Sequence, residues 1–182
     1  MINKEETYSF EDIGKIYEAN GKSLRRRCWS DVAERSKKQN LKCEFIRVAK
    51  NGDIIFKTES GTLKGKYYTQ IIRFVDIKRT IKQFLSDVNY NSKNIVKLLY
   101  NGDIKIYCDD PSFKYYFQYV AWKKGFGIKG ERRKPKIRNP RYSGGVCKHL
   151  YTVLVALPYY YKKIIKGLIK WNFLPKEYTK FT

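Results

Sequence analysis

Four side chains able to ligate a metal stand in two short pairs, Cys108-x-Asp110 and Cys147-x-His149, with residues 111–146 between them. His149 is the only histidine in the chain. Thiolate, imidazole and carboxylate are donor types that zinc accepts in a tetrahedral site, and two short pairs on separate elements can together supply four of them. Asp109 adjoins Asp110 and offers an alternative carboxylate. The competing reading has no metal: His149 caps a helix and the two cysteines pack as small apolar groups. Cys28 and Cys43 lack such spacing and read as core or partly buried thiols.

The periodicity of apolar residues supplies the elements that would carry these pairs. A short helix is expected from Ser9, then a basic run from Lys22 to Cys28 ending at Trp29, then a short helix or loop over residues 30–40. From Leu41 the period becomes two, with Cys43, Phe45, Arg47 and Ala49 alternating with their neighbours. Asn51-Gly52 then marks a hairpin turn of type I′ before the run Ile54–Thr58. Tyr67–Phe74 reads as a third strand and Asp76–Asp87 as a helix. A second hairpin joins Ile95–Tyr100 to Ile104–Cys108 through a second Asn-Gly-Asp-Ile at 101–104. Phe113–Lys124 reads as an amphipathic helix closed by Gly125-Phe126-Gly127, and Cys147 opens a last core helix with Leu150, Val153 and Leu154 inward. Pro158 interrupts that helix before a basic, aromatic C-terminal segment. The expected fold is therefore α+β, two β-hairpins with three or four helices. It divides into an N-terminal α+β region (1–90) and a C-terminal module (91–182).

Charge narrows the partners. The chain has 39 Lys and Arg against 17 Asp and Glu, a formal net charge of +22, which points to a polyanion. An AT-rich coding sequence also enriches lysine, but it should raise the acids as well. Seven of the cations, Lys129, Arg132, Arg133, Lys134, Lys136, Arg138 and Arg141, lie in one proline-bearing loop between the metal-ligating pairs. Tied at both ends, that loop would present a phosphate-binding surface of sequence-tolerant kind. Tyr115, Tyr119, Trp122, Phe126 and Tyr142 interleave with it as base-stacking candidates, or as core and rim aromatics. No 18-residue apolar run or secretory signal is present, so a cytoplasmic or particle-bound protein without membrane contact is expected.

A strand ending in C-x-C, a long spacer and C-x-H opening a helix with Leu-x-x-Val-Leu make up the layout of SWIM zinc fingers. Residues 95–157 resemble it, with CDDPSFKYYFQYV, a spacer ending in Asn-Pro, and GGVCKHLYTVL most similar to SWIM-like proteins of tailed bacteriophages. Asp110 stands where the second cysteine of that pattern belongs. The resemblance implies a ββα zinc clasp on Cys108, Asp110, Cys147 and His149, and binding to DNA or protein instead of catalysis. The expectation is a virion structural protein of the head, neck or interior, touching DNA or other virion proteins and compatible with oligomerisation. The alternative is a low-copy DNA-binding or regulatory protein. An enzyme would need a general base and a second histidine or paired carboxylates, and the sequence offers only Asp109-Asp110.

Overall fold

A computed structural model of the chain describes residues 29–77, 103–137, 139 and 144–181. The expected Ser9 helix, the basic run 22–28 with Cys28, most of the helix 76–87, the strand 95–100, and Arg138, Arg141 and Tyr142 lie outside the described residues. Within them the order is helix α1 (Trp29–Lys38), strands β1 (Cys43–Val48), β2 (Ile54–Glu59), β3 (Tyr67–Phe74) and β4 (Ile104–Cys108), and a π-helical turn (Phe113–Phe117) running into α2 (Gln118–Lys123). There follow α3 (Lys148–Ala156), a 3-10 turn (Leu157–Tyr160), α4 (Tyr161–Lys170) and a last 3-10 segment (Lys176–Phe181).

The four strands form one antiparallel sheet in the order β1-β2-β3-β4. Residues from before and after position 90 therefore share a sheet. Side chains alternate across it, and the face carrying Ile54, Phe56, Tyr68, Ile72, Phe74, Ile104, Ile106 and Cys108 is buried. Leu150, Val153 and Leu154 of α3 and Ile164, Ile165 and Leu168 of α4 cover that face, as the sequence leads one to expect for α3. The architecture is mixed α+β.

The first hairpin turn differs from the expected type I′. Gly52 N–H donates to Ala49 O and Ala49 N–H to Asp53 O, and only Gly52 (φ +84°) enters the left-handed region. This is a three-residue loop, Lys50-Asn51-Gly52, with glycine at its positive-φ position. Asn51 and Asp53 side chains bond each other and help hold it. Asp53 then takes a bidentate pair from Arg73 (2.6 and 2.9 Å), which ties the turn to β3.

Among the described residues β1 is an edge strand, and two of its carbonyls are closed by side chains from the C-terminal segment. Tyr160 OH donates to Cys43 O (2.7 Å) and Trp171 Nε1–H to Val48 O (2.8 Å). At the other edge, Ile106 N–H donates to Phe126 O and Ile128 N–H to Ile106 O, so residues 126–128 run alongside β4. A Cβ at Gly127 would stand 2.7 Å from Trp122 N and 3.0 Å from Ala121 C. These are backbone atoms that cannot step aside, so Gly127→Ala is expected to destabilise by about 1–3 kcal/mol. The midpoint of urea unfolding checks this, and an unchanged midpoint would show that the helix end yields.

Candidate metal centre

Period two puts Cys108 on the same inward face as Ile104 and Ile106, at the C-terminal end of β4. Cys147 is the N-cap of α3, extended at φ −88° and ψ 169°, and His149 is the second residue of that helix. α3 crosses the buried face of the sheet, so its first turn meets the end of β4. The ligand atoms of Cys108, Cys147 and His149 lie within 4.8 Å of one another. Asp110 approaches from the histidine side, its Oδ2 3.2 Å from His149 Nδ1. None of the four is more than 4% exposed.

The polar atoms at this point lack partners. Asp110 Oδ2 and both ring nitrogens of His149 are buried without a hydrogen bond, since the 3.2 Å approach does not have hydrogen-bond geometry. Buried polar atoms are nearly always satisfied, and three orphans around two thiols need an explanation. A shared ion supplies one. Two ligands about 2.0–2.1 Å from a tetrahedral zinc stand roughly 3.3 Å apart, near the observed Nδ1–Oδ2 distance. Two Zn–S bonds of about 2.3 Å place sulfurs roughly 3.8 Å apart. His149 does not act as a helix cap, because the α3 N-cap makes no side-chain hydrogen bond and both imidazole nitrogens are orphaned. The donor set fits a thiophilic divalent ion such as zinc.

Charge around the cluster follows from burial. Burial pushes the Cys147 thiol well up, and the neighbouring Cys108 and Asp110 add to this, against the Leu150 N–H. Burial also opposes the Asp110 carboxylate, yet its net direction is down because His149, the Ser112 N–H and Lys148 face it. Two thiolates and a carboxylate exceed a divalent ion formally by one negative charge, and half-buried Lys148 lies close enough to Asp110 and Cys147 to offset it.

One participant was not read from the sequence. Gln70 lies fully buried on β3, between Tyr68 and Ile72 on the inward face, where an apolar residue would be expected. Its Nε2 donates to Tyr68 O (3.0 Å) and to Cys108 Sγ (3.5 Å). A carbonyl only accepts, so the amide nitrogen must face that way and the sulfur receives its N–H. The Asp110 backbone N–H reaches the same sulfur at 3.4 Å. Two N–H donors thus fix the Cys108 sulfur where it could ligate, and the Tyr68 ring lies 4.9 Å from the His149 ring. The legible signal was a polar residue interrupting β3's apolar alternation. Gln70→Leu is expected to weaken metal affinity about 10–100-fold. Cobalt(II) titration read at its thiolate charge-transfer band checks it, and an unchanged affinity and band position would dismiss the role.

The spacer between the pairs is anchored along its length. Asn139, fully buried, donates from Nδ2 to Tyr116 O (2.8 Å), and so satisfies a carbonyl inside the π turn. This π turn replaces the uniform α-helix expected over 113–124. Gln118 Nε2 donates to Gly130 O, and Phe126 lies against Gly145 near the spacer's far end. Lys129, Arg132, Arg133, Lys134 and Lys136 are all exposed. Arg133 is taken up by Glu131 (2.7 Å), and Lys129 Nζ sits 4.1 Å from the Tyr107 ring centre. The aromatics divide: Tyr119 and Phe126 are core and unavailable for stacking, whereas Tyr115 and Trp122 are 54% and 40% exposed.

Fold and cluster together define an α+β domain with a buried candidate metal centre at the base of a basic loop. Comparison with known proteins finds no matching family model, no similar curated protein and no similar solved structure. No helix among the described residues is long and apolar enough to cross a membrane.

Proposed function

We propose that the chain is a non-enzymatic, metal-clasped protein whose basic loop binds the phosphates of nucleic acid. The observation that carries the reading is the buried set of Cys108, Cys147 and His149, with Asp110 beside the histidine and orphaned nitrogen and oxygen atoms, at the two ends of a cationic spacer. A bound zinc would cross-link β4 to α3 and hold the loop's ends together. With Asp110 as the fourth donor beside Cys108, Cys147 and His149, a bound ion would have no open coordination site, which favours a structural ion over a catalytic one. The clasp is of SWIM-like kind, with Asp110 in the place of a thiolate. The setting we favour is the structural one, a tailed-phage virion component touching packaged DNA or acidic neighbour subunits. Copy number separates that from a low-copy regulator, because a structural protein co-purifies with particles.

Binding of duplex DNA tests the loop. Each phosphate contact adds roughly 0.9 to the slope of log K against log salt. Changing Lys129, Arg132, Lys134 and Lys136 together to glutamine is expected to lower that slope by about 3–4, alike for unrelated sequences. A slope that the variant leaves unaltered would remove the loop from the interface.

A further inference from the structure

We infer that α4 carries a second nucleic-acid surface, independent of the spacer loop, so that one molecule bridges two duplex segments. The inference extends the polyanion reading to a face which that reading does not use. Lys162, Lys163, Lys166 and Lys170 are all exposed on α4, and none pairs with a carboxylate among the described residues. The stretch Leu157–Lys170 contains no acid at all. Lys162, Lys166 and Lys170 recur every fourth residue, about 6 Å apart along the axis. They form a straight cationic rail. Lys163 and Lys170 additionally flank the rings of Tyr160 and Trp171.

The opposite face of α4 decides the partner. Ile164, Ile165 and Leu168 are spent in the protein's own core, none more than 2% exposed. A membrane-surface helix needs that apolar face free to enter the bilayer, so α4 has nothing to insert. A regularly charged duplex, with one phosphate per about 1.7 Å of axis, needs only the cations.

Placement gives the second surface its consequence. α4 packs on β1, at one edge of the sheet, and Trp171 and Tyr160 fix that contact. The spacer loop leaves from residues 126–128, beyond β4 at the other edge. With strands about 4.8 Å apart, the two basic surfaces are separated by roughly 19 Å of sheet. Two surfaces on opposite edges engage two segments.

The test uses the full chain and two variants. One has Lys162, Lys163, Lys166 and Lys170 changed to glutamine, which keeps helix propensity. The other is the loop variant above, and thermal unfolding confirms that both are folded. Salt slopes are measured on one duplex, and bridging is read as capture of a fluorescent duplex by the same duplex on beads. The α4 variant should lose about 3–4 from the slope and most of the capture, while still binding one duplex through the loop. An α4 variant with native slope and native capture overturns the inference and leaves the loop reading standing. A loop variant with native slope, beside an α4 variant that loses binding, overturns the loop reading and bridging and leaves α4 as the duplex surface. Phosphatidylserine vesicles bound at a salt concentration where duplex is not bound would overturn the choice of partner.

Discussion

Cys147→Ser is expected to lower zinc affinity by on the order of a thousandfold, about 4 kcal/mol, and to lower the unfolding midpoint of the zinc-loaded protein accordingly. The serine hydroxyl is a poor donor for zinc, and the remaining His149 nitrogens and Asp110 oxygen would stay buried without partners. Cys108→Ser should behave alike, losing in addition the sulfur that accepts the Gln70 and Asp110 N–H groups. The effect is conditional on metal: in excess chelator, wild type and variants should unfold within about 1 kcal/mol of one another. The pH dependence has a fixed sign. The Cys147 thiol is pushed well up, so at neutral pH the metal must displace its proton, and binding weakens as pH falls. Each displaced proton is worth about tenfold in affinity per pH unit, readable by calorimetry in buffers of different ionisation enthalpy. Variants that match wild type in zinc affinity would show that the thiols are only core filler.

Phe126→Ala is expected to destabilise by about 3–5 kcal/mol, the usual cost of deleting a buried phenyl ring. Phe126 is fully buried, and its carbonyl accepts the Ile106 N–H that pairs residues 126–128 with β4. A Cβ on Gly145 would stand 2.6 Å from Phe126 Cζ, so the ring fills the space that glycine leaves. The ring thus joins the start of the basic spacer to its end, two residues before Cys147. Urea unfolding should show the lower midpoint with an unchanged m value. A loss below about 1 kcal/mol would mean that the spacer's ends collapse into the gap.

The candidate metal group of Cys108, Cys147 and His149 was legible because ligating residues are few and their spacing is short-range. Cys108-x-Asp110 and Cys147-x-His149 stand out in a chain with one histidine, and folding needs only to bring two element ends together. Strand alternation was equally plain in Ile54–Thr58 and Tyr67–Phe74, as was the inward stripe Leu150, Val153 and Leu154. What could not be read depends on contacts distant in sequence. Gln70 stands out only as a polar residue on β3's inward face, and its part becomes visible once Cys108, thirty-eight positions on, is its neighbour. The π turn at Phe113–Phe117 is held by Asn139 from the spacer, and nothing local to FKYYF announces it. The Asn51-Gly52 turn was placed correctly but mistyped, because Asn-Gly serves both the two-residue turn and the three-residue loop with glycine at its left-handed position. Tyr119 and Phe126 show the same limit: composition marks an aromatic as able to stack, and only packing says whether a base could reach it.

The measurement that bears most directly on the clasp is the metal content of the full chain purified without added metal. About one zinc per chain is expected, released by a thiol-reactive reagent together with a fall in thermal stability. Metal-free protein whose unfolding is indifferent to both zinc and chelator would contradict the clasp, and would leave the basic surfaces to stand on packing alone.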